Sequence, residues 1–267
     1  MTRAFRLTLA YEGTRYSGWQ SQPERPTVQG TLAGAIAAVS GETILPRGSS
    51  RTDAGVHALG QVVAFETGAG HDAGTWVRAL NARLPADITV IDGDEVPRGF
   101  DPVRGAVSKV YRYRIHDAPF RPVLSRHLVW RWKSRLDLAA MQSAAEVLVG
   151  EHDFTSFETT PSTRLSKVRT IHALEVSRPP VDADAPGAEV WIEIEGNGFL
   201  YNMVRIIAGS LVMVGSGRRT RDWLAGVLAA RSRPTAGPTA PPEGLVLLAT
   251  TLDADSPWQN SPTNSAP

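Results

Sequence analysis

Val107-Ser108-Lys109-Val110-Tyr111-Arg112-Tyr113-Arg114-Ile115 changes character residue by residue, with Lys109, Tyr111, Tyr113 and Ile115 on one face and Arg112 and Arg114 on the other. A period of two predicts a strand. It decides the fold because the order of elements read over the first hundred residues begins again at it. Upstream, Phe5, Leu7, Leu9 and Tyr11 alternate as a strand. Thr27 is placed to cap a helix with Val28, Leu32, Ile36 and Val39 on one stripe, ending near Gly41. A strand over 42–47, a polar loop, a strand from Gln61 to Thr67, a helix through Trp76, Val77, Leu80 and Leu84, and a strand at Ile88 to Ile91 complete β-α-β-β-α-β.

Downstream the order returns. The strand to Ile115 is followed by a short extra strand at Leu128 to Trp132. A helix capped by Asp137 then carries Leu138, Met141, Ala145 and Leu148 and closes at Gly150. Strands at 168–176 and 190–195, an apolar helix over 200–214, a helix capped by Thr220 and a strand from Leu245 to Thr250 follow. The expected fold is therefore α+β: two ferredoxin-like halves, residues 1–100 and 101–252, forming an extended, mostly antiparallel sheet with a central cleft. The Pro/Asp-rich stretch 178–187 reads as a hairpin loop, and 253–267 as a disordered tail.

The absence of cysteine excludes thiolate metal sites, cysteine nucleophiles and disulfides. Six histidines show no HxH, HxxxH or HExxH spacing, so no metal is expected. No apolar run approaches the ~20 residues of a membrane span, and the N-terminus enters strand-like alternation at once, so a soluble cytoplasmic protein is expected. The net charge is +1, from 28 basic and 27 acidic residues. Residues 98–135 nevertheless hold ten basic side chains against Asp101 and Asp117, a local +8. Such a stripe fits a polyanionic partner, or a solvated face neutralised elsewhere in the fold. Only three basic residues are lysine, which fits either a GC-rich genome or phosphate recognition by Arg.

Three features carry possible chemistry. Gly48-Ser49-Ser50-Arg51-Thr52-Asp53-Ala54-Gly55-Val56-His57 offers a carboxylate, a guanidinium and an imidazole on a loop longer than a hairpin requires, although Asp53 also suits an ordinary turn. Arg205 is the one formal charge on the apolar helix, so either a carboxylate meets it, Asp53 being a candidate, or it reaches solvent. Tyr111 and Tyr113 alternate with Arg112 and Arg114, as base stacking beside phosphate contacts would require, and as an ordinary strand with tyrosines also would.

Arg51-Thr52-Asp53-Ala54-Gly55-Val56-His57-Ala58 closely resembles the signature loop of the tRNA pseudouridine synthase A family. Tyr11-Glu12-Gly13-Thr14-Arg15-Tyr16-Ser17-Gly18-Trp19-Gln20 is similar to the family's N-terminal segment. Lys109 to Tyr113, Asp153 to Phe157, Gly198 to Arg205 and Glu243 to Leu245 resemble later blocks, in the family's order. Ser50 stands where the family usually has Gly, and Asn202 where many members have His.

The resemblance implies isomerisation of uridine to pseudouridine at positions 38, 39 and 40 of the tRNA anticodon stem-loop, by a homodimer without cofactor or metal. It implies Asp53 as the catalytic carboxylate, Tyr111 stacked on the target base, Arg205 paired with Asp53, and Arg51 holding the nucleotide out of the stack. Two other classes compete. A plain RNA-binding module would not need the buried Arg, and a glycoside hydrolase would need a second carboxylate that the loop lacks.

Overall fold

A computed structural model describes residues 1–159, 166–179 and 189–253. Most of the expected hairpin loop and the chain after Asp253 lie outside them. The chain packs as two compact units, Met1–Val107 together with the chain from Leu247, and Ser108–Val246.

The first unit holds β1 (Arg3–Tyr11), α1 (Val28–Ser40), β2 (Arg47–Gly48), β3 (His57–Thr67), α2 (Ala73–Asn81) and β4 (Ile88–Val96). The sheet order is β4-β1-β3, with β2 on the other side of β3, the 4-1-3-2 order of a ferredoxin-like half. β1 runs antiparallel to both neighbours, placing Phe5 opposite Phe65 and Leu7 opposite Val63. The first helix caps at Thr27 as its sequence predicts, and Asp72 caps the second. The Thr27 hydroxyl accepts from Gly30 N–H at 3.2 Å, and the Asp72 carboxylate accepts from Thr75 N–H at 2.6 Å. Gly41 ends α1 in the left-handed region, at φ +75°. The helices bury Leu32, Ile36, Trp76 and Leu80 completely, and Trp76 stands edge-on to Phe65.

The strand expected over 42–47 shrinks to β2 for a physical reason. Pro46 has no N–H to donate, and its carbonyl accepts instead from the Gln29 side chain at 2.8 Å. The Glu42 carboxylate accepts from Gly68 N–H and the Thr67 hydroxyl, so side chains replace the ladder. β3 begins four residues earlier than expected, and β4 runs on to Val96.

The second unit is built from β5 (Ala106–His116), β6 (Trp130–Arg131), α3 (Leu138–Ala145), β7 (Gly150–Asp153), β8 (Val168–Ser177), β9 (Glu189–Gly196), α4 (Met203–Gly215) and α5 (Arg221–Ala230). Its sheet order is β5-β9-β8-β7, antiparallel throughout, with β6 parallel to β5. β7 pairs with β8 and has no counterpart among the strands expected from the sequence. α3, capped by Asp137 at 3.0 Å, packs on α4 and α5. The last strand, β10 (Leu245–Leu252), starts in the second unit and continues into the first beside β3. The fold is thus α+β with mostly antiparallel strands, and β10 joins the first unit rather than only closing the second.

Candidate functional site

The loop from β2 to β3 is fixed on two sides. On one side stands the segment after β1. Trp19 N–H donates to the Thr52 carbonyl at 3.0 Å, Gly55 N–H donates to the Tyr16 carbonyl at 3.3 Å, and the Tyr11 and Thr52 hydroxyls are 2.8 Å apart. Two glycines allow this approach. Gly18 sits at φ +90°, and a side chain there would lie 2.7 Å from the Thr52 carbonyl oxygen. At Gly13 a Cβ would collide with the Val56 carbonyl.

On the other side stands Gln61, a wholly buried polar residue in β3. Its Nε2 donates to the Ser50 carbonyl at 2.6 Å, and its Oε1 accepts from Ser50 N–H at 3.2 Å and the Ser49 hydroxyl at 3.0 Å. One side-chain amide thus pairs with the peptide groups as a neighbouring strand would, three residues before Asp53. Ser49 also meets the Thr250 hydroxyl of β10 at 3.2 Å. The sequence did carry a signal for Gln61, since it opens the apolar run Val62-Val63-Ala64-Phe65 and a polar group there needs partners.

Within the clamp, Val56 N–H donates to the Asp53 carbonyl at 3.1 Å, closing a backbone turn. Asp53 is half-buried, Thr52 and His57 are buried, and Arg51 is exposed. His57 accepts from Gly13 N–H on Nδ1 at 3.0 Å, so its ring proton sits on Nε2. The Asp53 carboxylate is thus carried at partial burial on a loop whose backbone is held from both sides. Among the described residues, no three His, Cys, Asp or Glu side chains converge as a metal site requires.

Tyr111 and Arg205 belong to the second unit. Alternation along β5 is as read: Tyr111, Tyr113 and Ile115 face inward, with Tyr111 7% exposed and edge-on to Phe199 at 5.2 Å between ring centroids. The buried Tyr113 hydroxyl donates to the Pro241 carbonyl at 2.7 Å, and burial pushes its pKa well up. On the opposite face two members of the basic stripe are paired with acids. Arg112 lies 3.7 Å over the Trp191 ring and donates to Glu193, while Arg114 forms two bonds to Glu189. Arg135 and Arg178 converge on the buried Asp117. Arg121, Arg126, Arg131 and Lys133 form no ion pair among the described residues, Arg126 and Arg131 donating to carbonyls, so only part of the stripe is left as a polyanion footprint.

Arg205 is half-buried, one turn into α4. Its Nε donates to the Ala240 carbonyl at 2.8 Å and its Nη1 to the Asn202 side-chain oxygen at 2.7 Å. Asn202 in turn donates to the Thr159 hydroxyl at 3.0 Å. Sequence reasoning does not find Asn202 and Thr159 as supports; the only signal is that Asn202 precedes Arg205 by three residues, a helical neighbour distance.

A family model described as tRNA pseudouridine synthase matches residues 8–101 and 144–252 of this chain. The chain is similar to the tRNA pseudouridine synthase A of Geotalea uraniireducens, 42% identical over 92% of this chain and 98% of the relative. It is 44% identical to the protein of the same name from Myxococcus xanthus over 91% of this chain and 89% of that one. The corresponding Brevibacillus brevis protein is 44% identical over 92% and 98%.

Proposed function

Since the chain belongs to the tRNA pseudouridine synthase family, an isomerase family acting on tRNA uridines, we propose that it forms pseudouridine in the anticodon stem-loop, at positions 38, 39 and 40, with Asp53 as the reacting carboxylate. The reaction breaks the N1–C1′ bond, turns the uracil in place and joins C5 to C1′, the C5 hydrogen leaving as a proton while the released N1 takes one up. An ionised carboxylate serves it by attacking C1′ or C6, or by taking the C2′ proton. No net redox change or hydrolysis occurs, so the site has to exclude water and hold the detached base.

A stem uridine must leave its helix before it reacts, at a cost of a few kcal/mol. Tyr111 is assigned to the face of the flipped base, which offsets part of that cost, and exposed Arg51 to the flanking backbone. Arg205 is assigned to the Asp53 carboxylate, keeping it ionised and aimed. A homodimer in the cytoplasm completes the reading. Among the described residues no helix is long and apolar enough to cross a membrane.

The observation that carries the proposal is the clamp on the Arg51–Ala58 loop: backbone and side-chain bonds from both sides fix the peptide on either side of Asp53. Incubation with unmodified tRNA followed by carbodiimide mapping tests it. Pseudouridine at positions 38–40 is expected. Modification confined to another stem would overturn the positional assignment, release of free uracil would indicate a hydrolase, and unchanged tRNA a binding protein.

A further inference from the structure

Asn202 stands at the N-terminus of α4, where Asn ordinarily turns its side chain back to cap the helix from an extended backbone. Here it does neither. Its backbone is left-handed, at φ +61°, and its side chain accepts no bond from the helix backbone. The amide is engaged sideways: its oxygen takes Arg205 Nη1 at 2.7 Å and its nitrogen gives to the Thr159 hydroxyl at 3.0 Å. Thr159 is itself held, because its N–H donates to the Tyr201 carbonyl at 3.1 Å. With Nε on the Ala240 carbonyl, the planar guanidinium is gripped on two edges. Two fixed bonds to one rigid plane define its direction, which a single bond would leave free to swing.

We propose that Asn202 is a positioning residue for the reaction: through the Thr159–Asn202–Arg205 relay it sets the angle at which Arg205 presents its remaining donors. The proposal rests on the reading of Arg205 as the carboxylate's partner. The left-handed backbone and the missing cap make sense on this basis, because the amide faces Arg205 and not the first N–H groups of the helix.

The left-handed backbone supplies a selective test. Glycine adopts φ +61° without strain, so Asn202→Gly keeps the chain path and removes only the amide. Turnover is read from tritium released from C5 of labelled uridine in tRNA. Asn202→Gly is expected to lower kcat about tenfold, with KM for tRNA and thermal stability little changed. In an Arg205→Lys background, which lacks the planar fork, the same change is expected to cost nothing further. Full activity of Asn202→Gly alongside an inactive Arg205→Met would overturn the proposal and leave the reading of Arg205 intact. Losses that multiply in the double variant would also overturn it, since Asn202 would then act by another route. Full activity of Arg205→Met would remove the reading itself, and with it the role for Asn202.

Discussion

At the scale of single residues, Asp53 and Asn carry nearly the same shape but not the same charge, so Asp53→Asn separates chemistry from folding. It is expected to bind tRNA as the wild type does and to lose turnover by about four orders of magnitude. Tritium release at a turnover near the wild-type value would show that another group reacts. Tyr111→Phe keeps the ring and its edge contact with Phe199, so a fall in kcat of less than about tenfold is expected. A loss as deep as that of the aspartate variant would assign the hydroxyl to the chemistry. Asp53 was legible as a candidate because it stands with His57 and Arg51 within seven residues. Their supports were not, because Gln61 reaches back eleven residues and Tyr11 across forty-one to hold them. Such pairings are set by how strands register, which local spacing does not encode.

At the scale of elements, periodicity locates the five α-helices of the described residues, and the caps at Thr27, Asp137 and Thr220 are legible because capping is a local bond. Strands were read less well. β7 exists only because β8 offers it an edge, and 42–47 fails as a strand because Pro46 and Glu42 are committed elsewhere. The end of β5 provides a test of element-level stability. Asp117 is fully buried and accepts from Arg178, Leu136 N–H and Arg135. Burial alone would raise its pKa, but these donors together hold it below the ordinary carboxylate value. A depressed pKa stabilises the fold above the unfolded value of about 3.9, and the contribution fades as pH falls through the lower folded value. Asp117→Asn is therefore expected to cost about 3 kcal/mol in urea denaturation at neutral pH. The gap from wild type should stay level down to about pH 5 and narrow below about pH 4. A gap that widens in acid would contradict the assignment.

At the scale of the whole molecule, a charge of +1 conceals a redistribution that the sequence showed and the structure then reduced. Arg112 and Arg114 pair with Glu193 and Glu189 across β5 and β9, so their charges are already met within the sheet. Arg112→Gln is accordingly expected to leave the slope of log affinity for tRNA against log salt unchanged. Removing a side chain that neutralises one phosphate of single-stranded RNA would instead make that slope shallower by about 0.7. A change of that size in filter-binding titrations would return Arg112 to the RNA face. The +8 segment was legible as composition; its pairing was not, because Glu189 and Glu193 lie some eighty residues away on β9. The passage of β10 from the second unit into the first has a further consequence, for the order in which the protein is made. β3 cannot gain this neighbour, nor Ser49 its bond to Thr250, until a partner about two hundred residues downstream has left the ribosome. During synthesis the loop that carries Asp53 therefore waits beside an incomplete sheet edge. A nascent chain stopped before Leu245 would lack both the strand beside β3 and the Thr250 hydroxyl that meets Ser49.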